Sequence, residues 1–144
     1  MKFLLDTDTC IHALRHNPEV RSRLESVTPE DVAVSAMNEA ELRYGALNSQ
    51  HPDRHTKDVE AFLEPIVVLP FDAEAAKEHA RLRMALRKMP VGERDLVIAS
   101  VALAHRLTVV THNQREFSRI PGLETIDWID RTGQAKSKTR TKKA

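Results

Sequence analysis

Phe3-Leu4-Leu5-Asp6-Thr7-Asp8 carries three apolar residues directly into a carboxylate, a hydroxyl and a second carboxylate. Apolar residues at consecutive positions, over so short a run, read as a strand buried on both faces. The signature recurs at Asp31-Val32-Ala33-Val34, at Ile66-Val67-Val68-Leu69 before Pro70, and at Leu107-Thr108-Val109-Val110, with a last short piece at Thr125-Ile126. Between these runs the apolar spacing turns helical. Helices are expected over 9–15, from Pro18, from Ser35 or Ala36 to about Leu47, from His51-Pro52-Asp53 to about Leu63, over 72–88 and over 93–105. Pro90-Val91-Gly92 separates the last two, and 93–105 is apolar nearly all round, hence buried. Strands alternating with helices predict an α/β fold with a mostly parallel central sheet of four or five strands. Ligands of such sheets bind beyond the carboxyl ends of the strands.

A chain of 144 residues fits one domain. With only 4% aromatic residues its core must be aliphatic. It contains no G-x-G-x-x-G and no G-x-x-x-x-G-K-[ST], which removes the dinucleotide-binding and P-loop classes at the level of motif. The single cysteine, Cys10, excludes an internal disulfide and a cysteine-rich zinc site, and fits a reducing compartment such as the cytoplasm. No apolar run is long enough to cross a membrane, and Asp6 comes too early for a secretory signal. The net charge of +1 conceals an asymmetry. Six of the 22 basic residues lie in 131–144, a segment without acids; the other 16 against 21 acids leave 1–130 at −5. The body, 1–130, is therefore the expected folded domain, and 131–144 a basic tail expected to be disordered.

The strand ends collect carboxylates. Asp6 follows the first strand; its bland role is to cap the next helix, but Thr7 and Asp8 compete for that task. Glu41 lies, at 100° per residue, on the edge of an expected apolar stripe of Met37, Ala40, Tyr44 and Leu47, whereas Glu39 points the other way into solvent. Asp95 falls in the first turn of the buried helix, where the helix dipole favours an ionised carboxylate. Small Ala99 and Ala102 on its face let another segment or an ion approach. Carboxylates gathered without lysines repel one another unless a cation joins them, and hard divalent cations take oxygen ligands. Such ions activate water and stabilise charge on a phosphoryl group, so the residues themselves point to metal-assisted hydrolysis at phosphorus.

Four motifs in order carry a resemblance: Phe3-Leu4-Leu5-Asp6-Thr7-Asp8; Ser35-x-x-Asn38-x-x-Glu41-Leu42-x-Tyr44-Gly45; Pro90-Val91-Gly92-x-x-Asp95-x-x-Ile98-Ala99; and Thr111-x-Asn113-x-x-Glu116-Phe117. Over about residues 1–130 the chain resembles PIN-domain ribonucleases, in particular the VapC-type toxins of type II toxin–antitoxin pairs. The resemblance implies a small α/β/α sandwich, an endoribonuclease dependent on Mg²⁺ or Mn²⁺, tRNA as a candidate substrate, a VapB-type antitoxin partner and a homodimer. It places catalytic and metal-holding roles on Asp6, Glu41 and Asp95. A fourth acidic position falls on Asn113 or Glu116. Asp8, where the VapC pattern usually has asparagine, adds a further charge that either supports the ion or caps the helix. Arg43, Arg94 and Arg115 are candidates for contacts to RNA phosphates.

Two other readings compete. Asp6-Thr7-Asp8-Thr9 also resembles the D-x-D-x-T loop of haloacid dehalogenase-like aspartyl phosphatases, but no lysine follows the third strand and Thr111-His112-Asn113 offers no acidic pair. A non-catalytic PIN-like binding module would have no need of the full Asp6, Glu41 and Asp95 set.

Overall fold

The computed structural model describes residues 1–129; the tail expected over 131–144 lies outside them. Five strands form one sheet: β1 Phe3–Leu5, β2 Val32–Ser35, β3 Val67–Leu69, β4 Thr108–Val110 and β5 Thr125–Ile126. Their order is β3-β2-β1-β4-β5 and every pairing is parallel. In register, Phe3 lies beside Val32 on one flank and Thr108 on the other, and Leu5 beside Val110.

Because successive strand residues face opposite sides, parity sorts the core into two halves. Leu4, Ala33 and Val109 pack with Leu82, Leu96, Ile98 and Ala102, from α5 Ala73–Ala85 and α6 Glu93–Ala104. Leu5, Val34 and Val110 pack on the other side with Cys10, Val20, Leu42 and Val59. These belong to α1 Thr7–Leu14, α2 Pro18–Glu25, α3 Ala36–Leu47 and α4 Pro52–Leu63. A short α7, Gln114–Phe117, drops Phe117 into the first half. The result is an α/β/α sandwich. Leu4 and Leu5 are both fully buried, each contributing roughly 1.5–3 kcal/mol, which ties the first strand to both layers.

Local chemistry sets the helix starts. Asn17 caps α2 ahead of Pro18, Asp72 caps α5, and Ser35 with Asn38 forms a reciprocal capping box on α3. The helix expected over 9–15 begins earlier, at Thr7, because Asp6 itself is its cap. The chain runs outward from β1 to β2 to β3, then returns to place β4 on the free flank of β1. That reversal leaves a crevice above the carboxyl ends of β1 and β4.

The stripe expected on α3 is not the one that is buried. Asn38, Leu42 and Ala46 face inward, Met37 is half-buried, and Ala40, Tyr44 and Leu47 are exposed. Tyr44 and Leu47 are apolar by composition, but Asn38 wins the interior position because its side-chain oxygen is satisfied there by Ser35.

Candidate active site

Asp6 is fixed on every side. Its backbone N–H donates to the Val110 carbonyl at 3.0 Å, locking the end of β1 to β4. Its Oδ1 accepts the Thr9 N–H at 2.8 Å, and the Thr9 hydroxyl donates to the Val110 carbonyl at 3.1 Å. Elimination among three possible caps is thus misleading: Asp6 caps α1 and also faces the crevice. Burial pushes its carboxyl above the usual aspartate value, against hydrogen bonds from Thr111 and Thr9, and the charge of Asp8 pushes the same way as burial. Asp8 itself is exposed in the first turn of α1.

Glu41 is held by a relay of side chains. The Ser35 N–H and hydroxyl donate to Asn38 Oδ1 at 2.7 and 2.8 Å. Asn38 Nδ2 donates to the Thr7 hydroxyl at 3.1 Å, and that hydroxyl donates to Glu41 Oε1. Asn38 is fully buried, so the relay is anchored in the core. The other oxygen, Oε2, lies 3.4 Å from Arg94 Nε, at the start of α6. Glu39, expected to be solvated, is half-buried and pairs with Arg43 at 2.7 Å. Arg43 also reaches Glu60 of α4 at 3.5 Å, so its guanidinium serves the α3–α4 junction rather than the crevice. Arg115 is exposed on α7.

Asp95 and Glu116 are joined by a side-chain hydrogen bond. The Asp95 carboxyl is pushed up to about 7, first by burial, then by its hydrogen bond to Glu116 and the charges of Glu116, Asp6 and Glu41. Glu116 is held below the usual glutamate value, chiefly by the hydrogen bond from Asp95. The Gly92 N–H, at 3.1 Å from Oε2, and the charge of Arg119 act in the same direction. Of the two fourth positions, Glu116 is the one in contact with Asp95. Asn113 supports it, with its side chain bonded to Glu116 and its N–H donating to the Thr111 hydroxyl at 2.9 Å.

Asp6, Glu41, Asp95 and Glu116 therefore converge from β1, α3, α6 and α7 and act on one another through their charges. The cluster has no lysine beside it, but Arg94, one of the expected arginines, and Arg119, which is not among them, stand at its rim. Among the described residues, no three carboxylates or imidazoles close on a single point. The donor set still fits a small hard cation, which typically takes one or two carboxylates and completes its shell with water. A proton retained up to about pH 7 marks the negative charge that a divalent ion would neutralise. Sequence alone does not single out Thr7 and Thr111 as site residues; their one signal is a hydroxyl within two residues of the end of an apolar strand.

A groove of about 290 Å³ between α1, α3 and α4 has Ile11, Leu14, Leu42 and Val59 in its walls, and Glu41 as well. No helix of the described residues is long and apolar enough to cross a membrane.

Residues 3–123 match the sequence profile of the PIN domain. The tRNA(fMet)-specific endonuclease VapC of Salmonella typhimurium is 40% identical over 131 residues, which cover 89% of this chain and 98% of that protein. Among solved structures, DNA-bound VapBC from Salmonella typhimurium superposes with a TM-score of 0.85 at 40% identity, covering 89% of this chain and 98% of the other. VapBC2 from Rickettsia felis, bound to a DNA fragment from its promoter, gives 0.83 at 32% identity, covering 89% and 99%.

Proposed function

The chain belongs to the PIN domain family, and on that premise we propose that it is an RNA-cleaving hydrolase, the toxin of a toxin–antitoxin pair. The observation that carries the reading is the convergence of Asp6, Glu41, Asp95 and Glu116 above β1 and β4, with Asp95 hydrogen-bonded to Glu116. Asp6, Glu41 and Asp95 would hold one or two Mg²⁺ or Mn²⁺ ions, and Glu116 would complete the set. When bound, such an ion supplies an activated water and charge stabilisation at a phosphodiester.

The chain's own residues do the positioning. Thr9 and Thr111 hold Asp6 at the strand end, and the Ser35–Asn38–Thr7 relay aims Glu41. The hydrogen bond between Asp95 and Glu116 fixes these two carboxyls against each other, and the Gly92 N–H holds Glu116 Oε2 at 3.1 Å. Arg94 stands at the rim, where an RNA phosphate would pass, and exposed Arg115 of α7 is a second candidate contact. Arg43 is committed to Glu39 and Glu60 and is not part of this contact set. An acidic body leaves RNA affinity to the ions, to these few arginines and to the shape of the RNA.

The partner would be a VapB-type antitoxin, as in the similar VapBC complexes, and the homodimer of toxin chains rests on the family resemblance alone. The apolar groove with Glu41 in its wall offers such a partner a path to the crevice. The tRNA specificity of the Salmonella relative makes tRNA the first substrate to test. Neither an aspartyl phosphatase nor a binding module accounts for four converging carboxylates on this fold. The test is to induce the protein briefly, sequence the newly formed RNA ends, and compare wild type with Asp6→Ala. Discrete new ends in the wild type alone support the reading; identical profiles overturn it.

A further inference from the structure

Glu41 presents two unlike oxygens. Oε1 is bound to the Thr7 hydroxyl at the end of a relay rooted in fully buried Asn38, so the carboxylate keeps its orientation whatever stands opposite. Oε2 points outward to Arg94, whose side chain is 73% exposed and meets it at 3.4 Å. Glu41 itself is 21% exposed, but an ion pair of this length whose cation is largely exposed is weak and readily exchanged. The two halves of Glu41 are thus a fixed one and a replaceable one.

We infer that Arg94 is a resident counter-ion for Glu41, competing with the divalent cation for Oε2 and released when a substrate phosphate attracts its guanidinium. The metal role of Glu41 and the phosphate come from the function proposed above; the Arg94–Glu41 pair comes from the geometry. Arg94 is suited to both partners, because its planar fork matches carboxylate and phosphate alike. Its backbone lies in the first turn of α6, one residue before Asp95, so the side chain can turn between partners without moving the helix. The consequence is a coupling of signs. Without RNA, Arg94 opposes the ion; with RNA, it leaves Glu41 to the ion and holds the phosphate.

The experiment uses the full chain. Mn²⁺ binding is measured without RNA, from the spectrum of the free ion, for wild type, Arg94→Gln and Arg81→Gln. Arg81 bonds Glu78 on α5 and controls for the loss of one charge. Arg94→Gln should bind Mn²⁺ roughly two- to five-fold more tightly, the range an exposed pair supports, while Arg81→Gln stays at the wild-type value. At saturating Mn²⁺, Arg94→Gln should need several-fold more RNA to reach half-maximal cleavage. Unchanged or weaker Mn²⁺ binding by Arg94→Gln overturns the inference, as does equal tightening by Arg81→Gln. Tighter Mn²⁺ binding with an unaltered RNA requirement also overturns it, because the exchange onto phosphate is then absent. If no variant cleaves RNA while the Mn²⁺ difference holds, the competition stands and the proposed nuclease function fails.

Discussion

Thr7→Val tests whether Glu41 is aimed by its neighbours or merely happens to face the crevice. Valine keeps the shape of threonine and its β-branching but removes the hydroxyl. Two hydrogen bonds disappear together, the one donated to Glu41 Oε1 and the one accepted from Asn38 Nδ2 at 3.1 Å. A hydrogen bond to a charged group contributes roughly 1.5–3 kcal/mol and a neutral one about 0.5–1.5. Thr7 is half-buried, so water recovers part of this, and a net loss of ~1–3 kcal/mol is expected. For a domain of this size that lowers the melting temperature by roughly 3–12 °C. The functional loss should be larger, because removing a group that orients a metal-holding carboxylate typically costs about 10–100-fold in metal affinity or activity. Thr7→Ser retains the hydroxyl and should recover most of both. The assays are thermal melts with and without Mn²⁺ and single-turnover RNA cleavage at saturating Mn²⁺. Wild-type cleavage and a wild-type rise in melting temperature with Mn²⁺ in Thr7→Val would refute the relay as the determinant of Glu41's position.

Glu41→Gln should remove most RNA cleavage while leaving the fold intact, whereas Glu39→Gln should retain cleavage and lose only its pair with Arg43; the same single-turnover assay compares them, and the reverse outcome defeats the site assignment. Cleavage should stop in EDTA and return with added Mg²⁺ or Mn²⁺; full activity of protein shown by elemental analysis to be metal-free would defeat the metal mechanism. In EDTA, the neutral Asp95 carboxyl stabilises the fold at low pH, since its value is raised from 3.8 to about 7, and this contribution is lost as the pH rises through about 7. After allowance for solvent screening at this half-exposed group, wild type should lose about 1–2 kcal/mol relative to Asp95→Asn between pH 5 and pH 8, read from urea melts. A constant difference across that range would show that Asp95 is not the group holding the proton.

The sheet was legible because its strands are short apolar runs that end abruptly, as Leu5 does before Asp6 and Leu69 before Pro70. Parallel pairing followed from the helices between them. The inward face of α3 was not legible, because hydrophobic phase ranks Tyr44 and Leu47 above Asn38. Only the folded chain shows that Ser35 satisfies the asparagine oxygen, which lets a polar residue occupy the core. Hydrophobic phase therefore misassigns the buried stripe beside which Glu41 lies. Asp6 and Glu41 stand out as acids following strands, Asp95 as an acid in the first turn of a buried helix, and Glu116 as one of two candidates for a fourth position. The helper Thr7 does not stand out, because it acts on a residue 34 positions away, and the sequence leaves open that Glu116, rather than Asn113, meets Asp95 across α6, β4 and the following turn. Contacts of that range leave no periodicity to read.

The strand order has a consequence for how the protein is made. β1 is made about a hundred residues before β4, yet it occupies the centre of the sheet and waits for β4 to cover its second flank. Asp6 and Glu41 therefore emerge early into a half-built sheet, with neither Asp95 nor Glu116 opposite them. At roughly 5–20 residues per second, the stretch from Asp6 to Glu116 takes about 6–22 s to translate. Until α6 is made the proposed site lacks Asp95, and until α7 is made it lacks Glu116. A chain interrupted before α6 carries Asp6 and Glu41 without Asp95 or Glu116, so the four carboxylates come together only after α7 has been made.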